Sequence, residues 1–230
     1  MSGKAVVLLS GGLDSTTCMA IAHAAGEEIY PLTFHYGQKH RLELEAAKKV
    51  AAYYGVADRH RIVDLAGLLS GSSLLDPDRP IPVGRSEAEM ARAIPSTYVP
   101  ARNTVFLALA LAQAEPLGAQ NIYIGVNAVD FSGYPDCRPE FIRAFQEVIA
   151  VGTLAGVEGR GIRIQAPLLY LSKAEIIKEG LRLGAPYHLT YSCYQGVMPA
   201  CGVCDACILR RKGFREAGAA DPLPYREPAG

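Results

Sequence analysis

The chain has 230 residues, half of them hydrophobic, with Lys+Arg and Asp+Glu equal at 23 each. That is enough for one substantial core and a small appendage, and the neutral balance gives no sign of a strong nucleic-acid or membrane field. The apolar runs Ala5 to Leu9 and Val105 to Ala112 are too short for a signal-peptide core or a membrane span. A soluble cytoplasmic protein is the expectation.

In chain order, Ala5 to Leu9 reads as a buried parallel strand, apolar throughout. A Gly-Gly turn follows, then a helix over Thr16 to Ala25. Glu28 to Phe34 is a second strand, Gln38 to Tyr54 a helix stopped by Gly55, and Arg61 to Leu65 a third strand. Residues 67–100 are rich in Gly, Ser and Pro and hold at most one short helix, around Glu87 to Ala93. Such a connection reads as a lid or binding loop, or as a floppy surface insertion. Asn103 to Ala114 is an apolar helix, Asn121 to Val126 a fourth strand, and Glu140 to Leu154 a helix with Pro139 at its start. Ile162 to Leu168 is a fifth strand. Ser172 and Glu175 form a capping box for a helix to Leu183, ended by Gly184. The alternation predicts an α/β, Rossmann-like, mostly parallel sheet with helices on both faces. The expected division is 1–186 for that domain and 187–230 for a cysteine-bearing unit packed on it.

The stretch Ser10-Gly11-Gly12-Leu13-Asp14-Ser15-Thr16-Thr17 sits where the first strand turns into a helix. Two glycines let backbone N–H groups approach an anion, and the helix N-terminus adds free N–H groups and a positive dipole end. This is a phosphate cradle, but neither the dinucleotide fingerprint nor the Walker loop is present. Taken alone, a Gly-Gly turn after a strand is equally a mere turn.

Six cysteines occur, and four of them, Cys193, Cys201, Cys204 and Cys207, crowd the last 40 residues. Without an export signal, metal ligation explains them better than disulfides. Four thiolates suit tetrahedral structural zinc, although C-x-x-C-x-x-C also serves four-iron clusters.

Ser10 to Ser15 resembles the PP-loop of the ATP pyrophosphatases, in which a substrate oxygen attacks the α-phosphorus of ATP and pyrophosphate leaves. Five further stretches resemble one branch: His35 to His40, Val99 to Asn103, Asp130 to Arg138, Pro167 to Lys173, and the cysteine set. That branch is the 7-cyano-7-deazaguanine synthase family of queuosine precursor biosynthesis. The resemblance covers nearly the whole chain. Residue 101 is Ala where the pattern also has Gly.

The resemblance implies that 7-carboxy-7-deazaguanine, ammonia and ATP are converted to the nitrile through an adenylate and an amide, with release of two AMP and two pyrophosphate. It implies that Leu8, Ser10, Gly11, Gly12, Leu13, Asp14, Ser15, Thr16 and Thr17 hold ATP, with Mg²⁺ offsetting phosphate charge. Asp14, Ser15, Arg102 and Lys173 are the catalytic candidates. Arg102, Asn103, Asp130, Phe131, Tyr134 and Asp136 are the substrate-binding candidates, two aromatic rings and carboxylates suiting a flat base. The bland readings are a helix-capping Asp14, a solvated Arg102 with Asn103 as a plain N-cap, and a water-facing Lys173. Cys137 is expected as a pocket wall and not as a nucleophile. His35 and His40 have no metal-ligand partners at the right spacing. The family favours zinc over iron–sulfur and, with the general frequency of two-fold pairs, a homodimer. No glutaminase domain is visible, so free ammonia is the expected nitrogen source. The basic cluster Arg210-Arg211-Lys212 reads as a solvated helix face, so no nucleic-acid partner is expected. The rival readings are a tRNA-modifying PP-loop enzyme and a zinc-bearing nucleotide sensor without turnover.

Overall fold

Lys4–Leu8 (β1) is the middle of a five-stranded parallel sheet in the order β3-β2-β1-β4-β5, with β2 Glu28–His35, β3 Arg61–Asp64, β4 Asn121–Tyr123 and β5 Arg163–Gln165. This computed structural model describes residues 3–39, 41–128 and 133–226. A strand with neighbours on both sides and helices on both faces has no wet surface, which is why Ala5, Val6 and Val7 are all fully buried. Successive side chains alternate between faces. Val6 and Leu8 join a core with Leu32, Phe34, Leu107, Ala110, Ile142 and Ile149. Ala5, Val7 and Leu9 join another with Met19, Ala22, Ala47, Val50 and Ala51.

Helices α1 (Leu13–Ala24) and α2 (Leu42–Tyr53) therefore cover one face, and α4 (Arg102–Leu117) and α5 (Pro139–Gly152) cover the other. Strand β1 pairs with β2 on one side and β4 on the other. The chain thus reverses its direction across the sheet between β1 and β4, and in such folds the crevice at the strands' carboxyl ends receives ligands. The short α3 (Glu87–Ala91) and α6 (Leu154–Val157) are peripheral, and α7 (Lys173–Arg182) lies beside α1.

The predicted α/β architecture is present, and its boundaries differ where long-range contacts intervene. Helix α2 begins at Leu42 and not at Gln38, because Gly37 turns the chain at φ 87° and the Gln38 amide folds back, accepting from Tyr36 N (2.9 Å) and donating to Phe34 O (3.4 Å). Strand β4 ends after three residues, not six. Gly125 then passes so close to α1 that a Cβ there would lie 3.1 Å from the Asp14 and Ser15 backbone. Strand β5 is likewise shorter than expected, since it lies at the sheet edge and Pro167 lacks an N–H. Ser172 and Glu175 do form the capping box of α7.

Residues 67–100 are a packed strap and not a floppy insertion. Ser72, Ser73, Leu74, Thr97 and Val99 are buried. Gly84 N donates to Val203 O (2.8 Å), and Arg85 pairs with the buried Asp205 at the head of α8 (Asp205–Ala217). Helix α8 packs on α7, Phe214 reaching Leu13, Cys18, Ile176 and Ile177. The solvated reading of the basic cluster fails at Arg210, which is 2% exposed. Its guanidinium bonds Asp221 (2.9–3.1 Å), Thr190 (2.8 Å) and Ser192 (3.2 Å), so it fastens the C-terminal tail to the segment before the first clustered cysteine.

Candidate active site

The loop after β1 is built so that its backbone is exposed and its side chains are tied down. Gly11 takes φ +83°, and a Cβ there would meet Glu43 O at 2.4 Å and Ala47 N at 2.5 Å, so only glycine fits. Gly12 is the N-cap of α1 and supplies no capping side chain. The N–H groups of Leu13, Asp14 and Ser15 thus have no helical partner and open toward solvent or a ligand. Ser15 Oγ lies 3.0 Å from Ser10 Oγ and donates to Gly12 O (3.1 Å), which fixes both hydroxyls at the mouth. Leu8, Ser10, Gly12, Leu13, Asp14 and Ser15 line one cavity of about 280 Å³. Gly11, Thr16 and Thr17 lie behind it. Thr17 Oγ1 bonds Leu13 O and Tyr187 OH, and the buried Thr16 Oγ1 has no partner among the described residues.

Asp14 does not cap its helix. Both of its carboxylate oxygens lie 2.8 Å from Lys173 Nζ, on the first residue of α7. Lys173 is 11% exposed, so it faces the loop and not water. The cavity continues from there to Arg102, at the start of α4. The guanidinium sits 5.9 Å from the Tyr36 ring centroid. Burial opposes its charge, but Tyr36, Tyr134, Cys137 and Asp136 outweigh that, and its pKa stands above the ordinary arginine value. Ala101, which precedes it, has φ +56° and is the one non-glycine residue in the left-handed region among those described.

Asn103 and Asp136 meet, but chiefly each other. Asn103 N donates to Asp136 Oδ2 (3.0 Å), and Asn103 Nδ2 donates to Asp136 O (3.0 Å), so a carboxylate 33 residues away caps α4. Asn103 and Cys137 line the cavity and Asp136 stands behind them. Tyr134 lines it with its hydroxyl 2.8 Å from Thr97 Oγ1. Asp130, Phe131 and His40 lie outside the described residues. Burial pushes the Cys137 thiol up to about 12, Arg102 opposing, so it is protonated at neutral pH and suits a wall better than a nucleophile. His35 is paired with Asp64 (3.2 Å) at the end of β3 and does not reach the cavity.

Sequence reasoning passed over several lining residues. Phe34 stacks on Phe106 at 4.1 Å and forms an aromatic floor, and Tyr191, Ser192 and Tyr194 form a wall from the cysteine-bearing segment. Glu43, in the first turn of α2, also lines the cavity, and burial pushes its carboxyl up to about 7. Nothing local separates it from Glu45, which is exposed and held below the usual carboxylate range by Lys48. Its turn of α2 lies against Gly11, where a Cβ would stand 2.4 Å from Glu43 O.

The four clustered cysteines are all buried, and their sulfurs lie within 4.8 Å of one another, with Cys201 Sγ and Cys207 Sγ 3.9 Å apart. A tetrahedron with metal–sulfur bonds of about 2.3 Å has sulfur separations of roughly 3.8 Å, so the set fits zinc and leaves no ligand position open. Cys201 N donates to Cys193 Sγ (3.4 Å) and Cys204 N to Cys201 Sγ (3.3 Å), which stabilises thiolate. This Cys₄ zinc-binding unit touches the nucleotide loop directly, since Tyr191 N donates to Gly11 O at 3.0 Å.

Residues 4–218 match the family model described as queuosine biosynthesis protein QueC. The chain is 58% identical over 222 residues to the 7-cyano-7-deazaguanine synthase 2 of Desulfitobacterium hafniense (strain Y51), covering 96% of this chain and 93% of that one. It is 58% identical over 225 residues to the 7-cyano-7-deazaguanine synthase of Anaeromyxobacter dehalogenans (strain 2CP-C), covering 96% and 95%. It is 55% identical over 233 residues to that of Myxococcus xanthus (strain DK1622), covering all of both. With a PP-loop, a Rossmann-like sheet, a Cys₄ cluster and relatives of this closeness, the chain belongs to the queuosine biosynthesis protein QueC family.

Proposed function

We propose that the protein converts 7-carboxy-7-deazaguanine and ammonia to 7-cyano-7-deazaguanine, consuming two ATP and releasing two AMP and two pyrophosphate. The observation that carries this reading is identity of 58% across 96% of the chain to a 7-cyano-7-deazaguanine synthase. Carboxylate and amide oxygens are poor leaving groups. Transfer of each to an α-phosphorus makes it part of AMP, which leaves readily. Two carbon–oxygen bonds must break, and so two activations are needed.

The site supports a division of labour. The Gly12 turn, the first N–H groups of α1 and the Ser10 and Ser15 hydroxyls suit the β,γ-phosphates, with Mg²⁺ arriving with ATP as part of the substrate. Lys173 suits the charge that gathers on the departing pyrophosphate, and Asp14 holds it in place until then. Arg102 suits the carboxylate or the α-phosphate. Tyr134, with Asp130 and Phe131, suits the flat base, and Asn103 with Asp136 sets the α4 terminus that carries Arg102. The Cys₄ zinc is structural in this reading, and residues 187–230 act as a wall fastened on the 1–186 domain. The protein works as a homodimer in the cytoplasm on free ammonia, without a nucleic-acid partner. Incubation with Mg-ATP, ammonium and the carboxylate, with products followed by mass spectrometry, tests the reaction. An amide that rises and then gives way to nitrile supports it.

A further inference from the structure

Turning ammonia into the nitrogen of a nitrile strips all of its N–H protons. In the first half, the C–N bond forms, the C–O bond to AMP breaks with its electron pair on the AMP oxygen, and one N–H proton leaves. In the second half, the amide oxygen displaces pyrophosphate from ATP as a second N–H proton leaves. Cleavage of the amide's own C–O bond, with its electron pair leaving on the AMP oxygen, then expels the third and leaves the C≡N bond. Ammonium, if it is the species that enters, brings one more proton to remove. A proton acceptor beside the reacting carbon is therefore used several times per turnover.

Few groups lining the cavity can serve. None of the described histidines lines it. Cys137, Tyr36, Tyr134 and Tyr194 all hold their protons more firmly than usual, because burial penalises the charged forms. Among the described residues that line it, two carboxylates remain, Asp14 and Glu43. Lys173 grips both oxygens of Asp14. The Glu43 carboxylate has no hydrogen bond or ion pair to another described residue, and Glu43 and Arg102 line the same cavity.

On the reaction proposed above, we infer that Glu43 is the proton acceptor for the nitrogen of ammonia and of the amide intermediate. The groups that face it are Tyr36 beyond β2, Arg102 on α4 and Cys193 on the cysteine segment, and Lys39 lines the same cavity. Burial holds the Glu43 carboxyl above the ordinary carboxylate range, with Arg102 opposing. What places it for the role is that it lines the cavity with no ion-pair partner among the described residues.

Glu43→Gln and Glu43→Asp in the zinc-loaded enzyme test this with three readouts. These are ATP–pyrophosphate exchange with the carboxylate, hydroxamate formation with hydroxylamine, and amide plus nitrile formation with ammonium. Hydroxylamine is largely unprotonated at neutral pH and attacks an adenylate without a base. Glu43→Gln is expected to keep exchange and hydroxamate formation within a few-fold of the parent while amide and nitrile formation fall by about 10²-fold or more. Glu43→Asp, which keeps a carboxylate, should retain more of the ammonium-dependent activity than Glu43→Gln. Parent-like amide formation by Glu43→Gln overturns the inference, and so does a hydroxamate loss in step with the amide loss. If Glu43→Gln does not fold, Glu43→Asp decides by the same comparison: an ammonium-specific loss supports the role, and equal losses contradict it. Failure of the parent enzyme itself to make nitrile would sink the reaction, separately from the assignment of Glu43.

Discussion

Lys173 Nζ lies 2.8 Å from both carboxylate oxygens of Asp14, joining α7 to the first turn of α1 across 159 positions of sequence. The pair puts one positive charge beside N–H groups already suited to a triphosphate. Lys173→Ala should leave the circular dichroism spectrum unchanged, because the Asp14 carboxylate it leaves behind is 30% exposed and can be hydrated. Pyrophosphate release should fall by about 10²-fold or more, as when a single charge-stabilising donor is removed. Asp14→Ala should lose pyrophosphate release too, and the double variant should be little worse than either, as expected of groups acting together. Additive losses would separate the two residues.

Two adjacent glycines should fail in different ways. Gly11→Ala combines a left-handed backbone with a Cβ 2.4 Å from Glu43 O. It should unfold the protein or destabilise it by more than about 2 kcal/mol in urea titration. At Gly12 the nearest atom to a Cβ is the movable Ser10 Oγ at 3.4 Å. Gly12→Ala should fold normally and bind ATP poorly.

Ala101→Gly should be a stabilising change. Ala101 holds φ +56° directly before α4. The left-handed region costs a side-chain-bearing residue about 1–2 kcal/mol, and glycine's extra freedom in the unfolded chain returns roughly 0.5–1 kcal/mol of that. The net gain is up to about 1.5 kcal/mol, visible as a higher urea midpoint with an unchanged slope.

Glu43 should make the fold pH-sensitive in a recognisable direction. Its carboxyl is raised in the folded state from 4.5 to about 7. A raised acid favours the fold fully below pH 4.5, and that advantage is lost as pH rises through 7. Above pH 7 the parent carries a charged group in a poor place, and Glu43→Gln should be the more stable of the two, by about 1–2 kcal/mol at pH 8. The difference should vanish near pH 4. Equal stability at both pH values would place the carboxylate in water.

Local features of the site were legible in the sequence, and features made by distant contacts were not. The Ser10–Ser15 turn, the Ser172–Glu175 box and the cysteine spacing carry their geometry within a few residues. Glu43 and Arg210 carry nothing local. Glu43 resembles the exposed Glu45, and Arg210 sits beside the exposed Arg211 yet is buried against Asp221. Asp136 gave the opposite lesson: it stands in a stretch that points to substrate, and in the fold it caps α4. The end of β4 is not legible either, because the sequence does not reveal how closely Gly125 must pass α1.

Zinc should matter to the nucleotide loop as well as to the cysteines. Tyr191 N donates to Gly11 O, and Cys193 lies two residues further on. About one zinc per chain is expected by elemental analysis of untagged protein. Its removal with a chelator should expose the amides of 190–194 and of the Ser10–Gly12 turn to hydrogen exchange together. Iron with acid-labile sulfide would contradict the assignment, and an unchanged turn would uncouple the two sites.

The most direct test of the central claim is the nucleotide count of the complete reaction. Enzyme, Mg-ATP, ammonium and 7-carboxy-7-deazaguanine are incubated, and AMP, amide and nitrile are followed over time by mass spectrometry. The account predicts an amide that appears first and then converts, two AMP for each nitrile, and a single AMP when authentic amide replaces the carboxylate. Steady AMP formation that stops at the amide, from folded and zinc-loaded protein, would contradict it.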